Sequence, residues 1–256
     1  MLSIHTVPAF SDNYFWLCHR SDDRSAFVVD PGDPEPVERA LRELDLTLTD
    51  ILITHHHSDH TGGASQLAAR HGARIHGPAS DRIPFIEHTL RDGDTIEVCG
   101  TRFTVIAVPG HTLDHIAYHG ADDDVVFCGD TLFAGGCGRM FEGEPAQMSA
   151  SLARLADLPG RTRVFCAHEY TLANLAFARL VEPENTALAE RQDQARALRD
   201  AGTPTVPTTI ELELATNPFL RLDAPDVVAA ARARRGGEVP TAGDVFAEIR
   251  AWKDVS

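Results

Sequence analysis

One stretch constrains this chain more than any other: Ile51-Leu52-Ile53-Thr54 runs straight into His55-His56-His57-Ser58-Asp59-His60. Four apolar or β-branched residues predict a short buried strand, and the strand empties into imidazoles and a carboxylate. In an extended chain alternate side chains share a side, so His55, His57 and Asp59 are expected to point one way and His56 the other. His60 joins the same pocket once the backbone bends into Thr61-Gly62-Gly63. Neutral imidazole and carboxylate are ligands that suit zinc, iron and manganese. A solvated histidine tag belongs at a terminus, whereas this run caps a strand. Chance supplies H-x-H-x-D-H on the order of 0.003 times in such a chain. The spacing reads as a metal site.

The same pattern recurs downstream. Residues 102–108 form the second arm of a hairpin that turns at Gly100-Thr101 and feeds Pro109-Gly110-His111-Thr112. Residues 125–128 end at Gly129-Asp130-Thr131, and residues 164–166 end at Ala167-His168-Glu169-Tyr170. Each apolar strand finishes on a His or an Asp, which together supply the ligands that a second ion needs. His115 is a candidate to support His111 from behind. His5, His19, His71, His76, His88 and His119 have no such partner and read as structural or surface.

Further strands are expected at 2–7, 14–18, 26–29, 74–76 and 116–119. Asp33-Pro34 starts a helix faced by Val37, Leu41 and Leu44. A second helix covers 62–71 and stops at Gly72. Glu144-Pro145 opens another, with Met148, Leu152 and Leu155 inward. Asp30-Pro31-Gly32 reads only as a sheet breaker. Beyond Tyr170 the pattern is helical: a helix faced by Leu172, Ala176 and Leu180, then 186–199, then 226–235, then one capped by Thr241 and buried along Val245, Ile249 and Trp252. Arg250 and Lys253 are neighbours on that last helix.

A chain of 256 residues with 43% hydrophobic and 24% charged residues is of ordinary globular composition. Its net charge of −15 disfavours a broad nucleic-acid or anionic-membrane surface, and with it a nuclease reading. No run approaches a membrane span, and the first residues lack a signal peptide's basic start. The five cysteines are odd in number and never spaced C-x-x-C, so reduced thiols in a cytoplasmic protein are expected. Cys137 has no histidine beside it that would make a nucleophile pair.

His55-x-His57-x-Asp59-His60, Gly110-His111-Thr112, Gly129-Asp130-Thr131 and Ala167-His168-Glu169 together resemble the metallo-β-lactamase superfamily. Ser11-Asp12-Asn13-Tyr14, Gly135-Gly136-Cys137-Gly138-Arg139, Cys166-Ala167-His168-Glu169-Tyr170, Asn217-Pro218-Phe219 and Arg250-Ala251-Trp252-Lys253-Asp254 narrow the resemblance to the type II glyoxalases, the hydroxyacylglutathione hydrolases. The resemblance implies the α/β fold class, an αββα metallo-β-lactamase sandwich over 1–170 followed by a smaller α-helical, glutathione-binding domain over 171–256. It implies hydrolysis of S-D-lactoylglutathione to D-lactate and glutathione by a metal-bridged hydroxide, with two divalent ions, zinc first and iron or manganese as alternatives. His55, His57 and His111 are then expected on the first ion, Asp59, His60 and His168 on the second, and Asp130 between them. The resemblance also assigns Arg139, Phe141, Tyr170, Arg250 and Lys253 to glutathione, with Phe141 standing where relatives carry Tyr. A monomer acting on a small molecule is expected. The competing expectation is a mono-iron persulfide dioxygenase of the same superfamily, against which the helical tail stands.

Overall fold

The computed structural model describes residues 1–256. By contacts the chain divides into two compact units, Met1–Ala107 with Asp114–Gly129, and Val108–Leu113 with Asp130–Ser256.

The first unit opens with β1 (Leu2–Ala9) and β2 (Asn13–Arg20), antiparallel in register from Leu2 opposite Arg20 to Ala9 opposite Asn13. β3 (Ser25–Val29), α1 (Pro34–Leu44) and β4 (Thr47–Leu52) make a parallel crossover, the geometry for which a helix must span two strands running the same way. Asp33 caps α1 by accepting from the Glu35 amide, with proline at the first helical position. α2 (Ser58–Thr61), α3 (Ala64–His71), β5 (Arg74–Pro78) and β6 (His88–Leu90) complete a sheet ordered β1-β2-β3-β4-β5-β6. β7 (Thr95–Val98), β8 (Thr101–Ala107), β9 (Ile116–Gly120) and β10 (Val125–Gly129) pair antiparallel in succession.

Aromatic residues join the two sets of strands. The Phe27 ring of β3 meets Phe103 of β8 edge-on at 5.6 Å and Phe127 of β10 at 6.3 Å. Edge-to-face contact at this separation is the favourable arrangement of two ring quadrupoles. Tyr118 of β9 is fully buried beside them, and its hydroxyl donates to the Ile53 carbonyl at 2.7 Å. The Ile116 amide donates to the Thr54 carbonyl at 2.9 Å. Those two bonds hold the chain as it leaves β4, where the histidine run begins.

The second unit contains the hairpin β11 (Leu132–Phe133) and β12 (Gly136–Cys137), then α4 (Pro145–Ala156) and β13 (Arg163–Cys166). α5 (Thr171–Val181), α6 (Thr186–Asp200), β14 (Thr208–Thr209), α7 (Ile210–Thr216), α8 (Pro225–Arg235) and α9 (Ala242–Lys253) follow, with β14 antiparallel to β13. Glu213 is wholly buried, and its carboxylate is met by Arg191, by Thr208 Oγ1 at 2.7 Å, and by the Gly135 amide and Asn217 Nδ2 at 2.9 Å each. A buried carboxylate is tolerable only when so fully bonded. Asn217 also reaches the Gly136 carbonyl at 2.9 Å, tying the helices to the hairpin.

Three helix faces differ from the expected ones. On α1 Val37 and Leu41 are buried, but Leu44 in the last turn lies exposed. On α5 the buried residues are Thr171, Asn174, Leu175, Phe177, Ala178 and Val181, while Leu172 and Leu180 lie exposed. Leu175 and Ala178 pack with Leu188 and Ala195 of α6, so contact with a neighbouring helix outweighs the leucine spacing. On α9 Phe246 and Arg250 join Val245 and Ile249 inside, and Trp252 is only half-buried.

Tyr118→Phe removes the donor to a buried carbonyl, so it should lower unfolding free energy by about 1–3 kcal/mol. A urea titration with unchanged slope and a lower midpoint is the expected result; an unchanged midpoint contradicts the role given to this hydroxyl.

Candidate metal centre

In the first unit the organising group is Asp30, at the end of β3 in a left-handed conformation (φ 53°). Its Oδ1 accepts from the Thr54 amide at 2.7 Å, and its Oδ2 accepts from Thr54 Oγ1 at 2.7 Å and from His60 Nδ1 at 3.0 Å. Thr54 Oγ1 spends its only proton on Asp30, so the 3.0 Å bond to His55 Nδ1 has the ring nitrogen donating. Both imidazoles therefore carry their proton on Nδ1, and the lone pair of each neutral ring sits on Nε2. Asp30, His55 and His60 bring ligand-type atoms within 4.8 Å of one another, but the Asp30 oxygens already accept three hydrogen bonds. Asp30 thus orients His60 directly and His55 through Thr54.

The backbone past the strand departs from the expected alternation. His57 is the last extended residue, the N-cap of α2, and Asp59 and His60 are carried on that helical turn. The His55 and His57 rings meet at 4.7 Å and those of His55 and His60 at 4.1 Å. Asp59 Oδ2 accepts from Asn13 Nδ2 at 3.0 Å and stands 3.4 Å from His60 Nε2. His56 turns to other partners, with Nδ1 on Asp114 at 3.0 Å and Nε2 receiving Arg82 Nη1 at 2.8 Å. His115, expected to support His111, stacks face-on against His55 at 4.6 Å. Two glycines permit these approaches: a Cβ on Gly32 would lie 1.9 Å from the Asp59 carbonyl oxygen, and one on Gly129 2.4 Å from Thr54 Oγ1.

The second unit brings together His111, Asp130 and His168, all buried. Asp130 Oδ2 lies 3.4 Å from His111 Nε2 and 3.4 Å from His168 Nε2. These separations are long for hydrogen bonds. They match neighbouring ligand atoms on one cation, which stand about 3–3.5 Å apart when each is ~2.1 Å from the ion. His111 Nδ1 bonds the Arg139 carbonyl at 2.7 Å, again placing the lone pair on Nε2. Tyr170 stacks on His168 with centroids 4.8 Å apart and planes 3° from parallel. Phe141 presents its edge to His111 at 5.3 Å while remaining largely exposed. In each unit the donors, imidazoles with a carboxylate among them, suit a divalent metal.

The expected glutathione contacts also lie in the second unit. Arg250 is buried: Nη1 donates to the Cys137 carbonyl at 3.2 Å and the guanidinium lies over the Phe219 ring at 5.5 Å. Lys253 Nζ sits over Phe177 at 5.1 Å. Burial, followed by repulsion from Arg250, brings the Lys253 ammonium down to a pKa of about 8. Burial also pushes up the Cys137 thiol, which does not favour a nucleophilic thiolate. Sequence reasoning missed Asp30, Asn13 and Asp254. Asp30 carried the one available signal, since it ends an apolar strand as Asp130 does.

Asp30→Asn cannot accept from three donors, so metal affinity should fall roughly 10- to 100-fold. Competition of the purified variant against a chromophoric chelator measures this directly, and wild-type affinity would contradict the supporting role of Asp30.

Residues 8–168 match the Metallo-beta-lactamase superfamily, and residues 169–256 match the Hydroxyacylglutathione hydrolase C-terminus. A hydroxyacylglutathione hydrolase of Ectopseudomonas mendocina (strain ymp) is 55% identical over 257 residues, covering 99% of each chain. Among solved structures, ETHE1 from Myxococcus xanthus gives a TM-score of 0.59 at 29% identity, covering 84% of this chain and 96% of that one. TTHA1623 in a di-iron-bound form gives 0.61 at 25% identity, covering 85% and 100%. The fold class is thus the metallo-β-lactamase fold with a C-terminal helical region, as expected. The end-to-end match, far stronger than that to ETHE1, also decides between the two readings of the sequence. The chain belongs to the hydroxyacylglutathione hydrolase family of the metallo-β-lactamase superfamily.

Proposed function

We propose that this chain hydrolyses S-D-lactoylglutathione and related 2-hydroxyacylglutathiones to the 2-hydroxy acid and glutathione, a step that detoxifies methylglyoxal. The observation that carries the reading furthest is the full-length identity to a hydroxyacylglutathione hydrolase. Two divalent ions, zinc in the first instance, are assigned to His55, His57 and His111 and to Asp59, His60 and His168, with Asp130 shared. The near-equal approach of one Asp130 oxygen to His111 and to His168, at 3.4 Å each, supports the sharing, because those histidines fall in different sets. The 1–170 and 171–256 division proposed for the catalytic and glutathione-binding parts is supported by the two family matches, which meet between 168 and 169.

Such ions, when bound, would lower the pKa of water toward neutrality and polarise a carbonyl oxygen. The protein's part is to hold and orient. Asp30 and Thr54 fix His55 and His60, and the Arg139 carbonyl fixes His111. The two carboxylates, Asp59 and Asp130, offset only part of the charge of two divalent ions. A site left net positive in this way, with the ions held, would favour negative charge on the thioester oxygen. Water oxygen bonds to the acyl carbon, the C–S bond breaks, and the thiol leaves with a proton that water supplied. No protein nucleophile is required, in keeping with the raised Cys137 thiol.

Arg250 and Lys253 are assigned to the glycine carboxylate of glutathione, with Arg139, Tyr170 and Phe141 as further glutathione contacts. The cytoplasmic, monomeric setting we propose accords with five free cysteines and with the absence of any helix long and apolar enough to cross a membrane.

The Lys253 pKa of about 8 gives this reading a pH signature. Below that pH the free enzyme holds the charge the carboxylate needs, and above it the charge is lost. KM for S-D-lactoylglutathione should therefore rise roughly ten-fold between pH 7 and 9.5 while kcat changes little from this cause. Lys253→Gln should raise KM at pH 7 and flatten the profile. Absence of thioester turnover rejects the activity, and a KM independent of Lys253 and of pH rejects the carboxylate assignment.

A further inference from the structure

The cationic end of α9 already holds a carboxylate of its own. Arg250 Nη2 donates to Asp254 Oδ1 at 2.9 Å, and Arg139 Nε donates to the same oxygen at 3.3 Å. The other end of the Arg250 fork is spent on the Cys137 carbonyl at 3.2 Å. Only 5% of the Arg250 side chain remains accessible, against 35% for Asp254. The Nη2 edge of Arg250 is thus taken by the more accessible Asp254 carboxylate.

The position of Asp254 is not explained by the helix it ends. Asp254 is the C-cap of α9, where the backbone dipole already presents negative charge and an anion is disfavoured. The capping bonds come from its backbone amide, to the Arg250 and Trp252 carbonyls, and not from its side chain. The two arginines hold the carboxylate there. With Lys253 included, three cations surround one carboxylate, so the cluster still lacks negative charge.

We propose that Asp254 is a built-in stand-in for the substrate's carboxylate, an inference that rests on the glutathione reading given above. In the free protein it occupies the Arg250 and Arg139 edges. An incoming glycine carboxylate competes for those edges, with Lys253 supplying the additional attraction that lets it win. Asp254 thereby sets specificity. A ligand without a carboxylate at that end gains nothing by displacing it, and a ligand with one is bound less tightly than the bare cations would allow. The same competition speeds departure of glutathione, because the internal carboxylate returns as the product leaves.

The test uses S-methylglutathione, which lacks a thioester, and its glycine amide. Calorimetry gives Kd of each for metal-loaded wild type and Asp254→Asn, an isosteric change that removes the charge and should leave the melting temperature near that of wild type. Asp254→Asn should bind the acid roughly three- to ten-fold more tightly than wild type and the amide equally well, with KM for S-D-lactoylglutathione falling in parallel. Weaker or unchanged binding of the acid overturns the proposal and leaves Asp254 a residue that merely orients Arg250. Equal tightening for acid and amide also overturns it, since no carboxylate competition is then involved. If wild type itself fails to prefer the acid to the amide, the glycine-carboxylate assignment falls as well, and that result is visible without the variant.

Discussion

The candidate metal-site histidines of the first unit depend on one carboxylate, that of Asp30, already engaged by three hydrogen bonds. Asp30 collects the Thr54 amide, the Thr54 hydroxyl and His60 Nδ1, and through Thr54 it decides the tautomer of His55. Imidazoles fixed in ring orientation and protonation state before an ion arrives lose less freedom when they bind it. The rest of the first unit serves that geometry. Tyr118 and Ile116 hold the strand end that delivers Thr54, and the Phe27–Phe103–Phe127 cluster holds the strands. Gly32 and Gly129 clear space that any side chain would fill.

Charge is arranged by place and not by total. A chain of net charge −15 repels anions on average, yet an anionic tripeptide thioester must be drawn in. Arg139, Arg250 and Lys253, the cations proposed for glutathione, lie close together in the second unit around Asp254. Arg250 is locked by the Cys137 carbonyl and by stacking on Phe219, so its charge is fixed in position. Lys253 is the more adaptable member, its proton held loosely enough for pH to matter.

The sequence made the donor list legible because each ligand follows a short apolar strand, and strands are local patterns. The supporting atoms were harder to see. Asp30 and Thr54 lie 24 residues apart, and Asp30-Pro31-Gly32 looks like an ordinary turn until the fold brings them together. The alternation rule placed His55 opposite His56 correctly but failed at Asp59, where the chain has entered a helical turn. The partner that buries Arg250, the Cys137 carbonyl, was not legible because it lies 113 residues away. Leu172 and Leu180 suggested the wrong face of α5, since what covers a helix depends on its neighbours and not on its own leucines.

Asp130 is proposed to serve two ions at once, and metal counting on Asp130→Ala puts that sharing to the test. Wild type and variant, loaded with zinc and dialysed against a weak chelator, are assayed for bound metal and for S-D-lactoylglutathione hydrolysis. Two ions per chain in wild type, at most one in the variant, and turnover lowered by about 100-fold or more are predicted. A variant that keeps two tightly held ions and wild-type kcat would contradict the shared carboxylate.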